Sequence, residues 1–225
     1  MCNEWCDSGF RNLIQIRSNR SNKEKLSKDC GGVQLDNYSL IESIKNKYVN
    51  HHKASTLKHV EEVADTAIAL AKVYNLDVEK IKLAALLHDI SAIRSPQSMY
   101  EIAKERGFDI DPAEEKYNFL LHQRISRLMA QEEYGINDLE ILDAIECHTT
   151  LKKNASMYDK IIFLADKISW DQKGVPPYYD LIQSKVMDSL DEACYAFIKY
   201  QFDNKLLLMP HQWLIEAYED LKNYQ

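Results

Sequence analysis

Six side chains in the middle of this chain are of the two types that bind first-row transition metals. They are, in chain order, His59, His88, Asp89, His122, His148 and Asp166. Imidazole and carboxylate ligands together suit iron, manganese, cobalt, nickel or zinc better than the metals that prefer thiolate. Six protein ligands exceed the number that one tetrahedral ion takes. The set therefore indicates two ions that share a bridging Asp89.

The surroundings of three of these residues argue for a functional site. His88 and Asp89 directly follow the apolar run of residues 81–87, and Asp166 interrupts the apolar run of residues 161–165. A buried carboxylate is costly unless a cation or a hydrogen-bond network receives it. A single histidine on an apolar helix is more often a hydrogen-bonded core residue, but four of the seven histidines fall into one ordered series. The other three are interpreted as surface or packing residues: His51, His52 and His211.

The elements that must position these side chains are helices. Apolar residues recur at helical spacing from residue 36 onward, and no alternating run indicates a strand. Asp77 is a candidate N-cap, Pro96 suits a first helical turn, and Gly107 and Gly135 suit helix ends. We therefore predict an all-α helical bundle with the metal site between its helices. The predicted helices cover residues 40–48, 59–74, 78–89, 96–106, 117–134, 138–148, 157–170, 179–202 and 211–224.

The composition is that of a globular protein, with 45% hydrophobic and 28% charged residues among 225. We expect one domain, residues 36–225, after an N-terminal arm of residues 1–35 that is rich in Asn, Ser, Lys and Arg. The formal net charge of −7 argues against binding to nucleic acid, which requires clustered basic residues. There is no run of about 18 apolar residues and no apolar signal-peptide core. We therefore expect no membrane span and a cytoplasmic location.

The five cysteines have neither disulfide-framework nor zinc-finger spacing, and we interpret them as reduced thiols. Cys147 directly precedes His148. It either contacts the metal site or serves as a small buried hydrophobe, and the second role is favoured. The five are Cys2, Cys6, Cys30, Cys147 and Cys194.

Four stretches carry a resemblance to a known superfamily. They are Ala84-Ala-Leu-Leu-His-Asp-Ile90, Leu121-His122, His148-Thr-Thr150 and Phe163-Leu-Ala-Asp-Lys-Ile168. In this order, and with His59 before them, they resemble the HD-domain phosphohydrolase superfamily and more narrowly the YqeK-type proteins, across residues 40–205. The resemblance implies an all-helical fold, a metal centre that is commonly di-iron in this subgroup, and cleavage of a nucleotide phosphoanhydride. The activity of YqeK-type proteins is symmetrical hydrolysis of diadenosine tetraphosphate to two molecules of ADP.

The resemblance also implies roles for individual residues. One ion would be held by His59, His88, Asp89 and Asp166, and the second by Asp89, His122 and His148. Asp89 would orient the attacking water while it acts as a ligand, and His122 would be the alternative proton donor if it does not coordinate. The ions would lower the pKa of a coordinated water and neutralise charge on the phosphoryl oxygens.

The positions that would contact the substrate depart from the family pattern. Ala92, Thr56 and Leu151 stand where the family favours Lys, Arg and Gly. A polyphosphate needs charge-assisted partners, so we expect basic side chains near it. The candidates are Arg94, Lys152, Lys153 and Lys173, with Trp170 and Tyr178 as candidates for stacking on a base. Alternatively, Lys152 and Lys153 lie at a solvated helix end, and the two aromatic residues have an ordinary packing role.

Three functions stay open at this point. The first is the symmetrical hydrolase, and the second keeps the site but acts on a nucleoside monophosphate, a nucleoside triphosphate or a guanosine alarmone. The third is a non-catalytic nucleotide-sensing module. The loop of residues 169–178 favours it, because this loop departs from the pattern of an acidic residue and an Arg that the family tends to have after Asp166. The complete set of six ligands disfavours it. The last helix has an apolar face that either caps the core or contacts a second copy in a homodimer. This face consists of Trp213, Leu214, Ala217, Tyr218 and Leu221.

Overall fold

The computed structural model describes residues 33–170 and 172–222, and across them the regular structure is helical, which confirms the predicted all-α class. In the first half, the α-helices are α1 (Val33–Asn50), α2 (Ala54–Val73), α3 (Val78–Leu87), α4 (Pro96–Glu105) and α5 (Pro112–Lys116). In the second half, they are α6 (His122–Tyr134), α7 (Leu139–Glu146), α8 (Met157–Ile168), α9 (Tyr179–Gln183), α10 (Leu190–Asp203) and α11 (Gln212–Leu221). Two short 3-10 helices span Ile90–Ile93 and Asn118–Leu121.

Several helix ends follow directly from local sequence. The Asp77 side chain accepts hydrogen bonds from the first backbone N–H groups of α3, as expected of an N-cap. Pro96 occupies the first turn of α4, where its missing N–H costs nothing. Gly135 ends α6 with a φ of 66°, a left-handed conformation that glycine adopts without steric strain. The predicted boundaries at these three residues are confirmed.

Two predicted helices contain an interruption, and the first two helices of the chain begin earlier than predicted, at Val33 and Ala54. The helix predicted for residues 117–134 begins only at His122, because Tyr117 has a non-helical backbone (φ −126°, ψ 77°) and a 3-10 helix follows it. The helix predicted for residues 179–202 is divided into α9 and α10. Ser189 is extended there, and its side chain accepts a hydrogen bond from the Glu192 N–H to cap α10. Apolar spacing continues across both interruptions, so periodicity alone does not reveal them.

The centre of the bundle consists of α2, α3, α6, α7 and α8. Helix α2 packs against α3 and α8, while α7 packs against α3, α6 and α8. Helix α1 lies on α2 and α3. Its wholly buried Tyr48 donates its hydroxyl to the Leu86 carbonyl at 3.0 Å, which satisfies a carbonyl in the last turn of α3. The five central helices are also the helices on which, or at whose ends, the six candidate ligands lie.

Helix α11 packs against α10 through its buried residues Leu214, Ala217 and Leu221. This apolar face therefore caps the core, and the predicted homodimer stays a prediction. His211 is buried and accepts a hydrogen bond from the Trp213 N–H at the start of α11, which confirms a packing role.

Residues 1–32 lie outside the described residues, and with them most of the predicted arm, residues 1–35, and the thiols of Cys2, Cys6 and Cys30. Helix α1 already begins at Val33, and the division into an arm and a domain of residues 36–225 stays a prediction. Cys147 and Cys194 are buried free thiols. Among the described helices, none combines the length and apolar character needed to cross a bilayer.

Candidate metal centre

The six predicted ligands come together at one place in the bundle, which we call the His/Asp cluster. His59 lies on α2, and Asp166 faces it from α8. The other four lie at helix ends, where the chain leaves or enters a helix. His88 caps the C-terminus of α3 and precedes Asp89, His122 opens α6, and His148 follows α7.

Three histidines of the His/Asp cluster are held in a single ring orientation. In His88, His122 and His148, Nδ1–H donates to the backbone carbonyl three residues earlier, at 2.7, 2.8 and 2.8 Å. A carbonyl oxygen only accepts, so Nδ1 carries the proton and the neutral ring presents an unprotonated Nε2. Imidazole binds metals in this form, with the other ring nitrogen fixed by a hydrogen bond.

Asp89 stands between these histidines. Its Oδ1 lies 3.5 Å from Nε2 of both His122 and His148, and its Oδ2 lies 3.7 Å from Nε2 of His88. Two triads of candidate ligands result, each with its ligand atoms within 4.8 Å of one another: His59, His88 and Asp89 form one, and Asp89, His122 and His148 form the other. The carboxylate shared by both triads matches the bridging role predicted for Asp89.

Asp166 completes the first side of the His/Asp cluster. Its Oδ1 lies 3.1 Å from Nε2 of His59 and 3.8 Å from Nε2 of His88. Its Oδ2 accepts a hydrogen bond from Lys167 Nζ at 2.6 Å, and the same ammonium donates to the His148 carbonyl at 3.1 Å. Lys167 was not among the predicted residues, although its position directly after Asp166 in the sequence was an available signal.

Burial and charge set the protonation of the cluster. Burial lowers the pKa of His148 to about 4 and also lowers the pKa of His88, because a charged ring would lose its hydration. Burial opposes ionisation of Asp89 and Asp166 as well. The surrounding imidazoles and, for Asp166, the Lys167 ammonium outweigh it and hold both carboxyl pKa values below their ordinary range. At neutral pH Asp89 and Asp166 are therefore ionised, and the buried rings of His88 and His148 are uncharged.

This arrangement fits a metal. The Nε2 of His88 is buried and has no hydrogen-bond partner among the described residues. The Nε2 atoms of His122 and His148 lie 2.9 Å apart, and both rings already use Nδ1 as the donor. Two lone pairs at that distance repel each other unless a cation lies beside them. The nitrogen and oxygen donors suit a divalent first-row metal.

A second group of side chains, which sequence reasoning missed, fixes the loop after α7. Gln123 is wholly buried beside His122, and its Oε1 accepts hydrogen bonds from the Thr149 and Thr150 N–H groups at 3.1 and 3.3 Å. The Thr149 hydroxyl lies 3.0 Å from His122 Nε2. The one signal in the sequence was that Gln123 and Thr149 each follow a ligand directly.

The four basic side chains predicted to contact the substrate differ in their ion pairs and in their exposure. Arg94 Nη2 lies 3.4 Å from Glu133, and Lys152 Nζ lies 2.9 Å from Asp143 and 3.5 Å from the buried Asp159. Both cations thus have carboxylate partners. The remaining predicted contacts, Lys153 and Lys173, are exposed. All four roles stay predictions.

Trp170 and Tyr178 pack edge to face with their ring centroids 5.9 Å apart, and Tyr178 also contacts Phe197. This geometry places both rings in an aromatic cluster between the end of α8 and α10. Packing is therefore one role of these rings, and base stacking by them stays a prediction.

Comparison with known proteins gives consistent matches. A model of the HD domain matches residues 56–171, which include the whole His/Asp cluster. A protein encoded in the pepC 5' region of Lactococcus lactis subsp. cremoris is 38% identical over 141 residues, 63% of this chain and 72% of that protein. The symmetrical bis(5'-nucleosyl)-tetraphosphatase of Staphylococcus aureus is 35% identical over 145 residues, 63% of this chain and 72% of that protein.

A solved structure is also similar. It is that of an HD superfamily hydrolase from Clostridium acetobutylicum, described as involved in NAD metabolism. It has a TM-score of 0.73 and 30% sequence identity, and the alignment covers 82% of this chain and 97% of that one. The similarity therefore extends over the helical bundle as well as the ligand-bearing segments.

Proposed function

This chain belongs to the HD domain family and is a metal-dependent phosphohydrolase, and from that premise we propose that it hydrolyses diadenosine tetraphosphate symmetrically to two molecules of ADP. The observation that carries the proposal is the pair of ligand triads that share Asp89. Two adjacent cations can neutralise the oxygens of a phosphoanhydride that carries several negative charges. The name of the Staphylococcus aureus relative supports the choice of substrate and of cleavage position.

In this proposal two metal ions are held by the His/Asp cluster, and iron is the proposed metal. His59, His88, Asp89 and Asp166 would hold one ion, and Asp89, His122 and His148 would hold the other. When bound, the ions lower the pKa of a coordinated water and offset charge on the phosphoryl group.

The protein's own contribution is placement and charge. The Nδ1 hydrogen bonds fix the three rings before any ligand arrives, so little reorganisation accompanies binding or reaction. The Asp89 side chain keeps 23% of its surface exposed, which leaves one side open to a water or a substrate oxygen that it can orient. His122 is a ligand in this proposal, so it is not the proton donor.

Charge reversal would attract the substrate to the His/Asp cluster. The two carboxylates outnumber the single Lys167 ammonium, so the cluster is anionic while its imidazoles are neutral. Two bound divalent ions would make the same volume cationic. A polyphosphate then meets a local positive potential on a protein whose formal net charge is −7.

The test combines metal analysis with product analysis. Protein purified without oxygen is analysed for metals, and the products from diadenosine tetraphosphate are separated by chromatography. Two ions per chain and ADP as the sole product are expected. ATP with AMP would contradict symmetrical cleavage, and turnover only of a mononucleotide or alarmone would assign the site a different substrate. Ligand binding without turnover of any of these would instead indicate a sensing module. Asp89→Asn, treated identically, controls for a contaminating hydrolase.

A further inference from the structure

The Thr149 hydroxyl lies beside a ring nitrogen that the proposed metal would use. Its Oγ1 is 3.0 Å from Nε2 of His122, whose Nδ1–H already donates to the Phe119 carbonyl. In the neutral ring Nε2 can only accept, so the hydroxyl donates to it. A cation bound to Nε2 takes that lone pair, and the hydroxyl must then direct its hydrogen to another acceptor.

The backbone that carries Thr149 is held firmly. The buried Gln123 accepts from the N–H groups of both Thr149 and Thr150, and it also donates to the Thr150 hydroxyl at 3.2 Å. Leu151 then takes a left-handed conformation with φ 58° and donates its N–H to the Cys147 carbonyl at 2.7 Å. A non-glycine residue persists in that conformation only where surrounding contacts enforce it. Thr149 therefore stays beside His122 when its hydroxyl changes acceptor.

The acceptor that arrives with a nucleotide is an oxygen of its phosphate chain. Thr149 is half-buried and so is reachable from solvent. Of the basic side chains predicted to contact phosphate, Arg94 and Lys152 are paired with carboxylates. A neutral donor next to the cations would add a directed hydrogen bond to an oxyanion, which is stronger than one to a neutral acceptor.

We propose that Thr149 is a catalytic residue whose hydroxyl donates a hydrogen bond to a phosphoryl oxygen of the bound substrate. The inference rests on the proposed ligation of a metal by His122. It does not depend on which nucleoside the phosphate carries.

The experiment compares Thr149→Val, Thr149→Ala and Thr149→Ser with the wild type, each loaded with Mn²⁺. Titration calorimetry measures the affinity for Mn²⁺ and then the affinity of the loaded protein for inorganic phosphate. The valine and alanine variants are expected to bind phosphate about tenfold more weakly, because one hydrogen bond to a charged group is lost. The serine variant, which keeps the hydroxyl, is expected to remain within threefold of the wild type. The valine and alanine variants should bind Mn²⁺ at least as tightly as the wild type, since no hydroxyl then competes with the ion for Nε2 of His122.

Thr150→Val is the matched control. It removes a hydroxyl one residue away that contacts Gln123 and the Leu151 carbonyl and has no hydrogen bond to His122 among those described. It should lower the melting temperature and change phosphate affinity far less than Thr149→Val does, because Gln123 still accepts from the Thr149 and Thr150 N–H groups. The inference is overturned if Thr149→Val and Thr149→Ala keep phosphate affinity within twofold, if they lose Mn²⁺ binding, or if the wild type binds no phosphate.

Failure of the substrate proposal would look different. A wild type that binds phosphate in a Thr149-dependent manner but does not hydrolyse diadenosine tetraphosphate would overturn the substrate and leave the role of Thr149 in place. If the wild type is active, Thr149→Val should lower kcat by a larger factor than it raises KM. The reason is that the negative charge on the phosphoryl oxygen grows in the transition state.

Discussion

Acid should destabilise the metal-free protein between pH 7 and pH 4, and buried His148 should be a principal cause. Burial lowers the pKa of this ring from 6.5 to about 4. The unfolded chain therefore binds a proton over a pH range in which the folded protein does not. Stability then rises with pH wherever the unfolded state holds more protons.

The size of the effect follows from the pKa difference. At about 1.4 kcal/mol per pKa unit, His148 contributes on the order of 3 kcal/mol of destabilisation that develops as the pH falls from about 6.5 to about 4. The lowered pKa of His88 acts in the same direction. The pKa values of Asp89 and Asp166 are lowered, so these carboxylates stabilise the fold above about pH 4 and lose that contribution only below it. The two carboxylates therefore do not obscure the dependence of stability on pH that His148 and His88 produce above pH 4.

The assay is urea unfolding in the presence of a chelator, followed by circular dichroism at intervals from pH 7.5 to pH 4.5. In His148→Asn, the new side chain can still donate to the Ile145 carbonyl but does not titrate. The free energy of unfolding of this variant should therefore fall less steeply with decreasing pH than that of the wild type. The control His51→Asn removes an exposed imidazole and should retain the wild-type slope. Equal slopes for His148→Asn and the wild type would refute the reasoning. Added metal should flatten the wild-type curve near neutral pH, because it binds only the folded ligands.

Four further substitutions test the site and the contacts that support it. Asp89→Asn should remove the shared anion, lower the metal content below one ion per chain and reduce hydrolysis on the order of a thousandfold, with helicity retained in circular dichroism. Lys152→Met should lower the free energy of unfolding by about 2 kcal/mol, because buried Asp159 loses a cation; the exposed Lys153→Met should leave stability unchanged and raise KM more than it lowers kcat. Tyr48→Phe should cost about 1–2 kcal/mol in urea unfolding, because a buried carbonyl of α3 loses its donor.

The sequence was sufficient to select side chains that the fold brings together, because several of them have an unusual residue type for their place. Asp166 among the apolar residues of α8, and the His88-Asp89 pair after those of α3, contradict the ordinary burial pattern. Residues that are ordinary for their place gave no such signal. Gln123 on the first turn of α6 and Thr149 in a loop gain their roles only from contacts across 26 residues or more of chain.

The missed helix boundaries have a related cause. Apolar periodicity reports which residues face a core, and a turn that keeps facing the core preserves it. The buried Ile182 and Val186 keep this pattern across the end of α9, so residues 179–202 looked like one helix. The signal that marks the break is Ser189, whose side chain caps α10, and serine is too frequent in loops and on helix surfaces for one occurrence to decide.

Three of the histidines are oriented by hydrogen bonds to residues close to them in the sequence, because they lie at helix ends. A helix leaves its last carbonyls without intrahelical donors. His88 and His148 lie at or just past the ends of α3 and α7, and His122 closes a 3-10 helix, so each ring finds a carbonyl three residues back. The same hydrogen bond satisfies the helix end, fixes the tautomer and directs Nε2 outward. His59 lies inside α2 instead, and its Nε2 contacts Asp166 Oδ1 on another helix, α8. We therefore expect the His59 side of the cluster to be the more sensitive to changes in helix packing.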